Sequence, residues 1–342
     1  MRYQILGESG LRVSNLCLGT MTFGDPDGWG TGARDSEQLM DRFFDVGGNF
    51  IDTANKYTSG ESERVIGRAL AGRRQRAVLA TKYSLSTDPA DPNAGGNHRK
   101  SLTHAVEASL KRLRTDHIDL LWIHAWDGLS PLRGVMRALD DLVRSGKVGA
   151  IGASDTPAWV VSRANAMAEG QGWTPFSAIQ VQYSLIERTV ERELLPMARQ
   201  LGLGVTAWSP LGGGLLTGKY SGLEPEQDVP DSKRAAVNGW RRTPRNLRIA
   251  AAVDQAAAQL GCPSAQVAVA WLRAQGAMPI VGARTLNQLN DHIAAMTLEL
   301  PEDVLRALDE VSAVEMGFPH DFLTWKPIVK ALFGRTRSLI DE

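Results

Sequence analysis

FIDTANKYTSGESERVIGRALAGRRQRAVLATK, residues 50 to 82, contains one whole structural repeat of this chain. FIDT (50 to 53) and AVLATK (77 to 82) are short apolar runs of strand length, and the segment SERVIGRALAG between them is amphipathic. Strand, helix and strand in that order predict parallel pairing, because a parallel partner needs a crossover long enough to hold a helix. The same alternation extends both ways, through NLCLG (15 to 19), HIDLLWIHA (117 to 125), VGAIGAS (148 to 154), SAIQVQY (177 to 183), GVTAWS (204 to 209) and MPIVGA (278 to 283). Helical stretches such as SLTHAVEASLKRLR, LRGVMRALDDLVRSG and TVERELLPMARQLG lie between these runs, and several end in Gly, a frequent helix stop. Eight such units predict closure into a parallel (β/α)8 TIM barrel. An open doubly wound sheet usually carries a glycine-rich dinucleotide fingerprint after its first strand, and that fingerprint is missing here.

YQILGESGLRVSN reads as a hairpin ahead of the first barrel strand, turning near Gly7 to Gly10 and plugging the barrel floor. Long stretches at 84 to 97, 212 to 245 and from about 312 onward exceed the minimal repeat. With no Pro/Ser linker to divide the chain, residues 1–342 read as one barrel domain with 312–342 as its tail.

Composition narrows the function. Lys plus Arg and Asp plus Glu both number 38, so no global field draws the chain to nucleic acid or an acidic membrane. Cys17 and Cys262 lie far apart and outside any Cys/His cluster, which suggests neither a disulfide framework nor a metal site and fits a reducing cytoplasm. The amino terminus lacks the apolar core of a signal peptide, and no segment approaches the roughly 20 apolar residues that a membrane span needs.

Several strands finish on a polar or reactive residue: Asp52, Lys82, His124, Ser154, Gln180 and Ser209. In a parallel barrel these ends share one face, and that face carries the active site. Singly, each has an ordinary reading: a turn cap for Asp52, a solvated strand end for Lys82, a core histidine for His124, a loop aromatic for Tyr57. Together they make a proton-donating unit. A Lys82 ammonium favours the Tyr57 phenolate and is expected to lower the tyrosine's pKa, Asp52 holds the ammonium, and His124 can hydrogen-bond a carbonyl oxygen.

LGTMTFG (18 to 24), DTANKYTSGESE (52 to 63), TK (81 and 82), IH (123 and 124), GAS (152 to 154), VQY (181 to 183), AWSPLGGGLLTGKY (207 to 220) and VGARTLNQL (281 to 289) resemble the aldo-keto reductase superfamily, in its order. The WSPL and LTGKY wording is closer to the branch of bacterial reductases and potassium-channel β subunits than to the sugar reductases. The resemblance implies an NADPH-dependent reductase of small-molecule carbonyls that transfers hydride directly and without a metal, with a catalytic tetrad of Asp52, Tyr57, Lys82 and His124 in which Tyr57 is the general acid. It further implies that Thr20 and Met21 lie near the nicotinamide, that Ser154 and Gln180 bind its carboxamide and that Trp208 stacks on its ring. Ser209, Leu211, Gly213 and Lys219 would line the diphosphate, and Gly282, Arg284, Gln288 and Asp291 would approach the adenosine. Arg284 with Lys219 favours NADPH over NADH, because a guanidinium forks onto the 2′-phosphate.

Two positions depart from the family pattern. Asp155 follows Ser154 where Asn is usual, and Asp291 with His292 replaces the usual Glu-Asn pair. GGLLTGK (213 to 219) matches most of a phosphate-cradling motif but is followed by Tyr220, without the hydroxyl that binds magnesium. The basic runs RRQR (73 to 76) and RRTPR (241 to 245) read first as solvated surface, and the second, in the loop after the seventh strand, has contact with the cofactor as its alternative reading. Trp29 and Trp126 are expected to wall an apolar substrate pocket, with Phe318, Phe322 and Trp325 closing it, which predicts aromatic or bulky carbonyls. Two rival functions stand beside the reductase: a nucleotide-binding regulatory subunit with little turnover, and an isomerase or lyase using Tyr57 as acid and base.

Overall fold

A computed structural model of the chain describes residues 1–24, 30–219 and 239–340. Eight parallel strands close a barrel: β3 (Cys17–Gly19), β4 (Phe50–Asp52), β5 (Val78–Tyr83), β6 (Ile118–Ile123), β7 (Val148–Ser154), β8 (Ala178–Gln182), β9 (Gly204–Trp208) and β10 (Met278–Val281), with β10 pairing back onto β3. The eight sequence-predicted runs are these strands, and the (β/α)8 expectation holds. β1 (Tyr3–Ile5) and β2 (Arg12–Ser14) form the expected antiparallel hairpin. Leu6 and Val13 from it are buried with Cys17, Phe50, Ala80, Leu120, Ala178, Met278 and Ile280, sealing the barrel floor. Gly7, at φ +50°, is pressed so closely on Ser177 and Gly204 that a Cβ there would stand 2.0 Å from the Ser177 carbonyl oxygen.

The period-2 alternation of a strand positions the site. Phe50, Ala80, Trp122 and Ala178 point into the barrel, whereas Ile51, Leu79, Leu121 and Ile179 face the helical shell. Two residues beyond each inward apolar residue stands Asp52, Lys82, His124 or Gln180. Trp122 fills the barrel beneath them because β7 offers no side chain at Gly152, where a Cβ would lie 2.3 Å from the indole.

The helix expected over 189–202 is broken. A 3-10 turn (Thr189–Glu191) precedes a helix restricted to Leu194–Gln200. Pro196 is the cause, since a residue without an N–H is tolerated only in a helix's first turn, and the helix begins where Pro196 falls there. Two helices, Pro244–Leu260 and Ser264–Ala274, lie between β9 and β10. No helix among the described residues is long and apolar enough to cross a membrane.

Candidate active site

β4 and β5 are hydrogen-bonded neighbours, with Asp52 opposite Ala80, so Asp52 and Lys82 meet across one strand pair. The Lys82 ammonium donates to Asp52 Oδ2, to the Thr53 carbonyl at 3.0 Å and to the Tyr57 hydroxyl at 3.0 Å. Asp52 Oδ1 accepts from Gln180 Nε2 at 3.0 Å, and the Asp52 carbonyl accepts from Thr20 N (3.0 Å) and Oγ1 (2.9 Å). Lys82 and Asp52 are only 1% and 2% exposed, so the pair is cut off from water. Tyr57 sits in a 3-10 turn just beyond β4, its ring edge-on to His124 with centroids 5.8 Å apart. The four residues, taken from three separate sequence blocks, thus form one cluster at the carboxyl ends of β4, β5 and β6.

The charges follow from burial. Lys82 loses hydration, which opposes its charge, but Asp52 and Tyr57 outweigh that loss and raise its pKa. It is an ammonium at any ordinary pH. Tyr57 corrects the sequence expectation: burial pushes its pKa up by more than Lys82 pulls it down, with Asp52 and Asp155 adding to the rise. The phenol therefore holds its proton at neutral pH. Burial and then the Lys82 charge push His124 down to about 3, so its imidazole is neutral. Among the described residues, His124 Nδ1 and Asn55 Oδ1 are buried without hydrogen-bond partners beside this cluster. Such orphaned groups are costly unless a ligand or water satisfies them.

At the mouth, Trp208 donates its indole N–H to Asp155 Oδ1 at 3.0 Å. Asp155 adopts φ +43°, a left-handed conformation that Asp and Asn tolerate better than other side chains, which accounts for either residue at this position. Ser154 is buried at the end of β7, Met21 is exposed on the rim, and Trp126, two residues after His124 in the sequence, is half-buried. Trp29 lies outside the described residues. Phe318, Phe322 and Trp325 do not close the mouth as expected: they are exposed (Phe318 84%), and the tail's contacts run instead to Arg192 and Glu193.

Beyond β9, Ser209 (φ +58°) starts a tight loop in which Gly212 N binds Ser209 O, Gly213 N binds Ser209 Oγ and Gly214 N binds Leu211 O. The backbone donors of this glycine run point into the loop itself. Positive charge there comes from side chains: Lys219, exposed, and Arg241, which is only 8% exposed. Arg241 reaches Ser209 Oγ at 3.4 Å, and the Gln182 amide oxygen, in the orientation that satisfies both groups, accepts from Nη1 (3.1 Å) and Nη2 (3.2 Å). Among the described residues its Nε has no partner, and loss of hydration lowers its pKa. After β10, Gly282 is open to solvent and Arg284 N donates to Gln288 Oε1 (2.9 Å), at the start of the helix Leu286–Ala294. Asp291 accepts from Gln266 (3.3 Å) instead of pairing with Arg284, and His292 is buried, its pKa pushed down to about 4 chiefly by burial.

The sequence model of the aldo/keto reductase family matches residues 15–313. The chain belongs to the aldo/keto reductase family. It is 38% identical to the norsolorinic acid reductase of Aspergillus flavus over 95% of this chain and 84% of that protein. It is 37% identical to an aryl-alcohol dehydrogenase of Pestalotiopsis microspora, over 96% and 87% of the two chains. An aldo-keto reductase of Emericella nidulans, ausK, is 38% identical over 94% and 84%. This aldo/keto reductase is accordingly an oxidoreductase acting on small-molecule carbonyls or alcohols.

Two features of the mouth were only partly legible in the sequence. Arg241 belongs to a basic run whose first reading is solvated surface and whose second is a cofactor contact, and nothing local marks it as buried. The Asp155–Trp208 hydrogen bond joins residues from two different strand ends, and only the barrel's closure brings them together.

Proposed function

We propose that this aldo/keto reductase is an NADPH-dependent reductase of aromatic or bulky aliphatic aldehydes and ketones, with Tyr57 as the general acid. The observation that carries the reading is Lys82 bonded at once to Asp52 and to the Tyr57 hydroxyl in a buried cluster. A bound nicotinamide nucleotide supplies the hydride, which adds to the carbonyl carbon. Tyr57 gives its phenolic proton to the carbonyl oxygen, completing the alcohol, and the Lys82 ammonium stabilises the phenolate left behind. Asp52 keeps the ammonium charged and aimed, and neutral His124 orients the carbonyl by a hydrogen bond.

The residues present suit the nucleotide. Orphaned His124 Nδ1 and Asn55 Oδ1 await polar partners at the reactive end, and the buried guanidinium of Arg241 with exposed Lys219 offers positive charge beside the Ser209 loop. On this reading Ser154, Gln180 and Trp208 hold the nicotinamide, Ser209, Leu211, Gly213, Lys219 and Arg241 the diphosphate, and Gly282, Arg284, Gln288 and Asp291 the adenosine. Residues 1–342 then act as one barrel domain with a tail. The aromatic preference is supported by the names of relatives said to act on norsolorinic acid and aryl alcohols, and by half-buried Trp126 two residues after His124 in the sequence.

The test mixes the protein and NADPH with benzaldehyde-type and glyceraldehyde-type substrates. Loss of NADPH matched by alcohol, with higher kcat/KM for the aromatic set, is expected. Equal or reversed specificity refutes the substrate assignment. Tight NADPH binding without turnover of a broad panel supports the regulatory reading in place of the enzyme, and alcohol-free conversion that consumes no NADPH supports an isomerase or lyase.

A further inference from the structure

Asp155 is a carboxylate beside the tetrad that, among the described residues, no cation pairs. Asp52 is neutralised by Lys82, and neutral His124 and protonated Tyr57 add no charge, so the cluster leaves an unbalanced negative charge at its mouth. Among the described residues, the only polar partner of the Asp155 carboxyl is the Trp208 indole N–H on Oδ1. Its backbone is fastened on both sides, Asp155 N to Gln180 O (3.3 Å) and Trp126 N to Asp155 O (3.4 Å), so the charge is held in place and not on a free arm. It is felt at the chemistry: the Asp155 charge contributes to the rise in the Tyr57 pKa, while burial raises the Asp155 pKa itself above the ordinary carboxylate value, with the Trp208 bond and the Lys82 charge pulling against that rise.

An unpaired charge set in a partly desolvated mouth destabilises the empty site unless an opposite charge arrives. Resting on the nicotinamide reading above, the reaction itself supplies one, because a reduced nicotinamide ring is neutral and its oxidised form is cationic. We propose that Asp155 is the counter-charge to the oxidised nicotinamide, making the site bind NADP+ more tightly than the fold's shape alone would, and thereby drawing hydride out of the reduced form. Its role is charge balance and positioning, since it donates no proton and touches no reacting atom of the substrate.

Asp155→Asn is nearly isosteric, keeps an oxygen for the Trp208 N–H and tolerates the same left-handed backbone, so only the charge is lost. Kd values for NADPH and NADP+ are measured on parent and variant by quenching of tryptophan fluorescence at pH 8, with thermal melting as a check on folding. The variant is expected to lose affinity for NADP+ by about tenfold relative to NADPH, as removal of a nearby unit charge predicts. An Asn variant whose NADP+/NADPH ratio stays within about twofold of the parent overturns the charge-balance role while leaving the cofactor reading intact. A parent protein that binds neither nucleotide overturns the cofactor reading, and this proposal with it.

Discussion

Replacing Tyr57 with Phe removes one hydroxyl from the centre of the cluster. Among the described residues that hydroxyl has one hydrogen-bond partner, Lys82 at 3.0 Å, and Lys82 keeps Asp52 and the Thr53 carbonyl when it is gone. The folding cost is therefore that of a single hydrogen bond, about 0.5–1.5 kcal/mol. The catalytic cost is far larger, because general acid catalysis is typically worth about 100-fold to 10,000-fold. The variant should melt close to the parent and bind NADPH within about twofold, while kcat for an aromatic aldehyde falls at least about a hundredfold. The parent's pH profile gives an independent check. The acid is active when protonated, and burial holds the Tyr57 pKa above the ordinary tyrosine value of about 10, so reduction should be flat through neutral pH and decline only in the alkaline range. His124, pushed down to about 3, has no proton to lose across that span. A Phe variant retaining more than about a tenth of the parent rate, or a parent rate that breaks near a histidine's usual pKa of about 6.5, refutes Tyr57 as the donor.

Arg284→Ala should weaken NADPH binding by at least ~1.5 kcal/mol and leave NADH unchanged, measured by fluorescence titration; equal losses for both nucleotides would remove Arg284 from the 2′-phosphate. Asp127 accepts hydrogen bonds from Asn97 N (2.8 Å), Leu129 N (2.9 Å), Ser130 N (2.9 Å) and Ser130 Oγ (2.7 Å), and Asp127→Ala should cost about 1–3 kcal/mol of stability at pH 7. Burial opposes its charge, but these bonds win and hold its pKa down at about 2, so the stabilisation is present above the ordinary carboxylate pKa of about 4 and lost as pH falls toward 2. The melting gap between parent and variant should narrow over that interval, and a constant gap contradicts the assignment. Gly152→Ala places a methyl 2.3 Å from the Trp122 ring, an overpacking cost of about 1–3 kcal/mol or more, and, because Trp122 lies two residues before His124, kcat should drop with it; a variant as stable and active as the parent shows that the indole can move aside.

What the sequence disclosed follows from which interactions are local. The strands were legible because each is an apolar run bounded by helix signals, and the tetrad because Asp52, Lys82 and His124 each extend an inward-facing apolar strand by one step of period 2. The break at Pro196 was available in principle, since the residue's missing N–H forbids the longer helix drawn through it. Other properties depend on closure. The direction of the Tyr57 shift is a contest between Lys82, visible as a neighbour in any family alignment of motifs, and desolvation by the barrel wall, which no stretch of sequence records. Arg241 shows the same limit from the other side. Its run, RRTPR, places three guanidiniums within five residues, and only the packing of the turn at Gly239–Arg241 against β8 and β9 buries the first of them beside Ser209. Arg241, buried beside Ser209, and Asp155, bonded to Trp208 one residue earlier, thus set a positive and a negative group on one mouth. That polarity matches a ligand that is anionic along its middle and becomes cationic at its reacting end, and no single motif in the chain carries it.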